Sequence, residues 1–291
     1  VTAPLPARLA LVVHPTRSID GALDTLRDWG QEHGVEVVQL EVEGNKHRAV
    51  APGTTLEDGD LIVAVGGDGT VLSALRASAK AGAPVLGVAC GSLGALSAVS
   101  AEELPGALAR VRAGDWRKRS LSALSIRGAG PPEDWAANDV VVVRRGAGQL
   151  VAEIDVDGER YARLAGDGVV VATPLGSSAY SMAAGGPVLT SDTDAFVCTP
   201  LAMHGGNAPP LVVPGDATLT VEVQPSYVGF DVDVDGHERT FAEQRRFEFA
   251  LHRDKLTLVR FEAPGRGLTG LRRRGLILDS PRVLARDARA S

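Results

Sequence analysis

Leu61-Ile62-Val63-Ala64-Val65-Gly66-Gly67-Asp68-Gly69-Thr70 runs an apolar segment straight into a glycine-rich turn that holds a carboxylate. An apolar run bounded by glycines reads as a buried strand. Val71-Leu72-Ser73-Ala74-Leu75-Arg76-Ala77 behind it reads as a helix whose positive end faces the turn. Glycines let backbone N–H groups approach a polyphosphate closely, so the turn reads as an anion site. Asp68 is its odd member, because a carboxylate beside bound phosphates repels them unless it takes a proton, organises a metal, or turns away as a helix cap. Two familiar loops are excluded by spacing. The G-x-x-x-x-G-K-[ST] pattern and its lysine are missing, and Leu72 stands where a dinucleotide fingerprint needs its third glycine. The alternative is a plain bend, with Asp68 or Thr70 capping the helix and the glycines only turning the chain.

Working outward, residues 8–14 form an apolar strand ending at His14-Pro15, Leu23, Leu26 and Trp29 mark a helix, and residues 35–40 form a strand, in β-α-β order. A helix over 71–81, a strand over 84–89 that opens into Cys90-Gly91-Ser92-Leu93-Gly94, and a helix near 101–113 continue the alternation. Such alternation implies a parallel sheet with ligands at the carboxyl ends of its strands. From about residue 121 short strands take over, at 121–126, 139–144, 152–156, 169–172, 211–213, 217–223, 228–234, 246–251 and 256–260. Asp157-Gly158 and Asp235-Gly236 sit between alternating segments and predict hairpin turns of the type that needs positive φ. Leu268, Leu271 and Ile277, in a tail from Gly265, predict that the tail packs back on the body. The expected fold is an α/β N-terminal domain with a parallel sheet over 1–120, an all-β C-terminal domain over 121–264, and a C-terminal tail over 265–291 returning to the N-terminal domain.

The 291 residues, 44% hydrophobic and 23% charged, suffice for a sizeable core. A net charge of −6 argues against a general nucleic-acid binder, and Arg117-Lys118-Arg119 and Arg272-Arg273-Arg274 read as solvated faces. Cys90 and Cys198 match no metal-ligand spacing and no disulfide framework, which fits a reducing compartment. Val1-Thr2-Ala3-Pro4 carries no basic stretch leading into an apolar signal core, and no apolar run approaches a membrane span. A cytoplasmic location without membrane or nucleic-acid partners is therefore expected.

A second constellation repeats the logic of the first. Gly166-Asp167-Gly168 leads the strand Val169-Val170-Val171-Ala172 into Thr173-Pro174-Leu175-Gly176-Ser177-Ser178-Ala179-Tyr180-Ser181-Met182-Ala183-Ala184-Gly185-Gly186-Pro187. Its hydroxyls can donate and accept, Tyr180 offers a ring for stacking, and Asp167 can accept from a ribose hydroxyl. Serine clusters also cap helices and a single Tyr also fills cores, so the bland reading stands beside the functional one.

Together the two constellations resemble the NAD kinase family, whose signatures are GGDGT after a strand, a later Asn-Glu pair and a GDG…TPTGSTAY…GGP segment. Gly87-Val88-Ala89-Cys90-Gly91-Ser92-Leu93-Gly94 is similar to the family's G-I-N-x-G-x-L-G loop, and Asn138-Asp139 lies where the Asn-Glu pair is expected. Diacylglycerol and sphingosine kinases share the GGDGT turn but not the 173–180 type of segment. This chain departs from the pattern at Cys90 for Asn, Asp139 for Glu, Ser178 for Thr, and at Ala165, where many relatives carry a basic residue. It departs further at Met203-His204-Gly205-Gly206-Asn207-Ala208-Pro209, edited from a P-H-S-L-x-x-R-P segment, and at His237, where Gln is usual after Asp-Gly.

The resemblance implies phosphoryl transfer from ATP, or polyphosphate, to the 2′-hydroxyl of the adenosine ribose of NAD, with Mg²⁺ neutralising the donor phosphates. It makes Asp68 the base. Gly66, Gly67, Gly69, Thr70, Gly91 and Gly94 would hold the donor. Asp68, Gly69, Asn138, Asp139, Asp167, Leu175, Ser178, Ala179, Tyr180, Ser181, Met182, Ala183, Ala202 and His237 would line the NAD site. Relatives form homodimers and homotetramers, and the same is expected here. The rivals are a lipid kinase, which should show an apolar acceptor channel, and a nucleotide-binding regulator without turnover, against which Asp68 argues.

Overall fold

The computed structural model describes residues 5–42, 48–128, 134–224, 229–241, 244–262, 268–273 and 275–290. Val1-Thr2-Ala3-Pro4, Val228, Gly265, Arg274 and the side chains of Leu268 and Arg273, all named above, lie outside that description.

The chain opens with β1 (Arg8–Val13), α1 (Asp20–His33), β2 (Glu36–Leu40), β3 (Gly53–Thr54), β4 (Leu61–Gly66), α2 (Asp68–Ala81), β5 (Val85–Ala89), β6 (Val99–Ser100) and α3 (Leu104–Ala113). Strands β4 and β5 are buried along their whole lengths, as their unbroken apolar runs require of strands covered on both faces. They pair in parallel, with β1 beside β4 and β2 beside β1. Helices α1 and α3 cover one face through Leu23, Leu26, Leu104 and Leu108, and α2 covers the other through Val71, Ala74 and Leu75. Each helix ends at a glycine in the left-handed region, Gly34, Gly82 and Gly114, where only a residue without a Cβ is unstrained.

Beyond α3 the chain continues as β7 (Arg117–Arg127), β8 (Asp134–Ala136), β9 (Asp139–Arg144), β10 (Leu150–Val156), β11 (Glu159–Gly166) and β12 (Gly168–Ala172). A 3₁₀ turn (Gly176–Ser178) and the one-turn helix α4 (Tyr180–Ala183) precede β13 (Ala195–Leu201), β14 (Leu211–Pro214), β15 (Thr218–Gln224), β16 (Phe230–Val234), β17 (His237–Arg239) and β18 (Arg246–Arg260). The six strands β14-β13-β12-β9-β16-β17 make a separate antiparallel sheet. It packs Val140, Val169, Val171 and Phe196 against Phe247, Phe249, Val221 and Ile154 of the facing antiparallel strands.

Those facing strands are not free of the parallel sheet. Strand β18 joins β5 in parallel at Leu258 and Val85, so β11, β10, β15 and β18 extend the parallel strands into one continuous sheet. Two predicted strands, 246–251 and 256–260, are one strand carrying a bulge between His252 and Leu256, with Asp254 at φ 52°. The hairpin expectations hold: Asp157-Gly158 joins β10 to β11 and Asp235-Gly236 joins β16 to β17, all four residues at positive φ. Arg117 and Lys118 are solvated as expected, but Arg119 is half-buried, on the face of β7 that Leu121 and Ala123 continue into the core, while Arg117 lies at the strand's exposed start. In the tail, α5 (Leu268–Arg273) buries Leu271, whereas Ile277 is 39% exposed and α6 (Pro281–Ala290) presents Val283 and Leu284 to solvent. Among the described residues no helix is long and apolar enough to cross a membrane.

Candidate active site

The glycine turn is the first turn of α2. Sequence propensity places the helix start after the glycines, at residue 71, whereas Gly67 is its N-cap and Asp68, Gly69 and Thr70 are already helical. No side chain caps it, so the plain-bend reading of Asp68 and Thr70 is not what the structure shows. The amides of Thr70 and Val71 bond back to the Gly67 carbonyl at 3.0 and 3.1 Å. A Cβ at Gly66 would meet Thr70 Oγ1 at 2.3 Å, which makes glycine a requirement of this tight exit from β4.

The half-buried Asp68 carboxylate instead faces the loop that follows β5. Oδ2 accepts from the Ala95 N–H and Oδ1 from the Leu96 N–H, both at 3.0 Å. The loop can come this close only because Gly94 lacks a side chain, since a Cβ there would lie 2.0 Å from Asp68 Oδ1. The GGDGT turn and the 90–96 loop, far apart in the sequence reading, thus form one wall at the carboxyl ends of β4 and β5.

A cation completes this wall, and sequence reasoning missed it. Arg17, in the turn between β1 and α1, donates to the Cys90 carbonyl at 3.3 Å, and its Nη1 lies 3.4 Å from where a Cβ would stand on either Gly67 or Gly91. Among the described residues Arg17 has no carboxylate partner within ion-pair distance. His14 shapes its turn: ring Nδ1 accepts the N–H groups of Thr16 and Arg17 at 3.2 and 3.1 Å. That acceptor role needs a neutral ring, and burial together with the nearby Arg17 and Arg48 holds the His14 pKa below its ordinary value. The only sequence signal for Arg17 was its place after a strand ending in His-Pro, a position that does not by itself identify a ligand contact.

The second half of the site gathers around Asp235. Its carboxylate accepts the N–H groups of Ala137, Asn138 and Asp139 at 2.9, 2.7 and 3.2 Å, clamping the Asn-Asp pair onto the β16–β17 hairpin. Thr173 ties the 173–183 turn to the same place, its Oγ1 donating to the Ala137 carbonyl at 2.7 Å and its N–H to the Asn138 carbonyl at 2.8 Å. Gly176 packs so tightly here that a Cβ would lie 2.0 Å from the Asn138 oxygen. Burial, then the charges of Asp235 and Asp233, push the Asp139 carboxyl up to about 7. Burial also raises Asp235, against the pull of its three N–H donors and of Arg76. Arg76, on the same helix as Asp68, donates to the Val234 carbonyl at 3.0 Å and so links the two halves.

The hydroxyls of the 173–183 turn face mostly inward. Ser181 is fully buried and shares a 2.8 Å bond with Thr199, Ser177 donates to the Pro174 carbonyl and accepts from Leu189, and Ser178 donates to the Leu175 carbonyl. Leu175 packs on the apolar cluster of Val71, Ala74 and Ala137. Tyr180, 46% exposed, presents its ring, with Ala179 before it at the N-cap and Met182 and Ala183 after it on α4. His237 begins β17 beside Asp235. Asp167 and Ala202 are brought together elsewhere, at the opposite end of β12 from Thr173. There Asp167 accepts from Arg144 Nε at 2.5 Å, its N–H donates to Leu201, and Ala202 holds φ 42°.

Over 245 residues this chain is 35% identical to the NAD kinase of Nitratidesulfovibrio vulgaris, covering 80% of this chain and 79% of that protein. The chain belongs to the NAD kinase family. Residues 24–116 match the family ATP-NAD kinase N-terminal domain, and residues 137–259 match the ATP-NAD kinase C-terminal domain. The NAD kinase of Heliobacterium modesticaldum is 41% identical over 182 residues, a match spanning 61% of this chain and 64% of the relative. Among solved structures, an Archaeoglobus fulgidus NAD kinase in complex with ATP superposes with a TM-score of 0.70 at 25% identity, over 90% of this chain and 98% of that one. Yeast NADH kinase complexed with NADH shares the fold at 20% identity, with a TM-score of 0.74 over 94% of this chain and 89% of that one.

Proposed function

We propose that this chain is an NAD kinase, transferring the γ-phosphoryl group of ATP to the 2′-hydroxyl of the adenosine ribose of NAD to give NADP. The observation that carries the reading is the Asp68 carboxylate, held by two backbone amides in the first turn of a helix that starts between Gly67 and Gly69. A carboxylate offers about four acceptor positions. Two are taken by Ala95 and Leu96, leaving others for a ribose proton. Asp68 accepts the 2′-hydroxyl proton as that oxygen bonds to the γ-phosphorus, while the bond from phosphorus to the β,γ-bridging oxygen breaks and ADP leaves. Gly66, Gly67, Gly69 and Thr70, with Gly91, Gly94 and the fixed charge of Arg17, form the donor side. Asn138, Asp139, Ser178, Tyr180 and their neighbours form the NAD side.

Among the described residues no group of three His, Cys, Asp or Glu side chains is gathered to hold a metal. That suits Mg²⁺ arriving on the donor phosphates, since this ion keeps waters and binds through substrate oxygens with at most one or two carboxylates, here Asp68. When bound it neutralises charge on the phosphates. We extend the proposal to polyphosphate as a second donor, to a cytoplasmic setting in keeping with two unpaired cysteines, and to a homodimer or homotetramer. The oligomer follows the resemblance, and it would account for Asp167 and Ala202, which lie roughly 17 Å from Asp139 along β12, reaching the NAD side only of a second copy. The division into a donor part over 1–120, an NAD part over 121–264 and a tail over 265–291 belongs to the same proposal.

The test is incubation with NAD, Mg²⁺ and either ATP or polyphosphate, read with an NADP-specific dehydrogenase. NADP formed with ATP is the expected result, and none with either donor overturns the reading.

A further inference from the structure

Asp68 accepts the Ala95 and Leu96 N–H groups from the inside of its wall, and the same segment is held from the outside as well. Arg260, the last residue of β18, donates from Nη1 to the Leu96 carbonyl at 2.8 Å and from Nη2 to the Ala95 carbonyl at 3.1 Å. The Ala95 carbonyl and the Leu96 N–H belong to one peptide group. A guanidinium therefore sits on its oxygen side and the Asp68 carboxylate on its hydrogen side, an arrangement in which each hydrogen bond polarises the next. Resting on the reading of Asp68 as the base, we infer that Arg260 is a positioning residue that sets the Asp68 carboxylate through the Ala95 and Leu96 peptides.

The loop needs such an outside hold. It runs from Gly91, at φ 134°, through Gly94 to the bond between the Ala98 N–H and the Gly87 carbonyl, and the two glycines give it little stiffness of its own. The cation is there at a cost. Arg260 is half-buried beside the inward-turned Arg119, and burial with that like charge draws its pKa down to about 10, against the opposing pull of Asp68 and Glu262. At neutral pH it remains charged. A guanidinium fork suits two adjacent carbonyls, whereas an ammonium is a single point charge without that shape. Placing a cation in so unfavourable a position, with backbone carbonyls as partners, is hard to account for by stability alone.

The experiment is a double-mutant cycle on NADP formation at saturating NAD and ATP, using the wild type, Arg260→Met, Asp68→Asn and the double variant, with Arg260→Lys alongside. In Arg260→Met, kcat is expected to fall on the order of 10- to 100-fold, as for a reacting group displaced by about an ångström, with KM for NAD and ATP within about twofold of wild type. Arg260→Lys recovers part of the loss. The double variant is expected to be no slower than Asp68→Asn alone, because a residue acting only through Asp68 has nothing left to position. Should Arg260→Met fail to fold, the cycle is run with Arg260→Lys. A folded Arg260 variant with wild-type kcat, or a double variant slowed by the full factor seen in the Arg260 single, overturns the inference. A wild type that makes no NADP overturns the reading of the reaction and this inference with it, whereas an active wild type with unaltered Arg260 variants overturns the inference alone.

Discussion

At the scale of the residue, Asp68 and Asp139 are two carboxylates in different surroundings, one on a pair of backbone amides and one buried beside other carboxylates. Asp68 receives two N–H donors from the loop after β5. Asp68→Asn keeps one oxygen for one of those amides and turns an NH₂ group on the other, so stability should fall by about 1–2 kcal/mol. Turnover should fall by about 10²- to 10⁴-fold, the scale of a lost general base, while NAD still binds. Measuring kcat and NAD affinity on the same preparation checks this, and near-normal turnover removes Asp68 from the chemistry. Asp139 is buried and faces Asp235 and Asp233, so its folded pKa is raised to about 7. An unfolded Asp titrates near ~3.9. Between those values the folded state binds a proton that the unfolded state has lost, so this group makes stability fall as pH rises from about 4 to about 7. Asp139→Asn removes the charge, and its melting temperature should gain on wild type as pH rises across that window, with the gain complete above it. A gain of the same size at pH 4 and pH 8 would show that Asp139 does not titrate there.

At the scale of the element, the donor wall is made by three chain segments, the β1–α1 turn, the first turn of α2 and the 90–96 loop, and they were not equally legible. The strand-turn-helix of 61–81 could be read because an apolar run of strand length ends in glycines and is followed by helix formers. Its helix start was read three residues late because Gly67 and Gly69 look like breakers, and only the packed structure shows Gly67 as the N-cap and Gly69 already helical. Strand β13 escaped because Pro200 interrupts it, and β11 because Arg160, Tyr161 and Arg163 blur the alternation. The contacts of Arg17, Asp235 and Arg260 could not be read at all, since each depends on which distant segment the fold delivers to it. Arg17 supplies the element-scale expectation. It bridges the Gly67 and Gly91 segments without a carboxylate partner among the described residues, so its charge is available to donor phosphates. Arg17→Ala should raise KM for ATP about tenfold, equivalent to ~1.4 kcal/mol, and leave KM for NAD unchanged. Steady-state kinetics with each substrate varied in turn decide it, and equal rises in both constants would point to a general loosening of the turn instead.

At the scale of the whole molecule, the donor and NAD sides are joined by two rigid connections. Helix α2 carries Asp68 at one end and Arg76, bonded to Val234, further along. Strand β18 runs from its pairing with β15 to its contact with β5 and ends at Arg260, behind the Asp68 loop. Binding on the NAD side therefore touches a folded unit that includes the donor wall, and its free energy should appear in the stability of the whole chain. By mass action, a ligand present at 100 times its Kd and bound only by the folded state adds about 2.7 kcal/mol. For a chain of this size that corresponds to a rise in melting temperature on the order of 5 °C. NAD should produce that rise, and Asp68→Asn should still show it, since the substitution removes a base while Asn can still hydrogen-bond the ribose. Diacylglycerol and sphingosine should produce none, because Asp235, Thr173 and the peptides of 137–139 gather hydrogen-bonding groups beside Asp139. A rise with either lipid and none with NAD would reassign the acceptor, and would place this chain's chemistry with the lipid kinases that share its glycine turn.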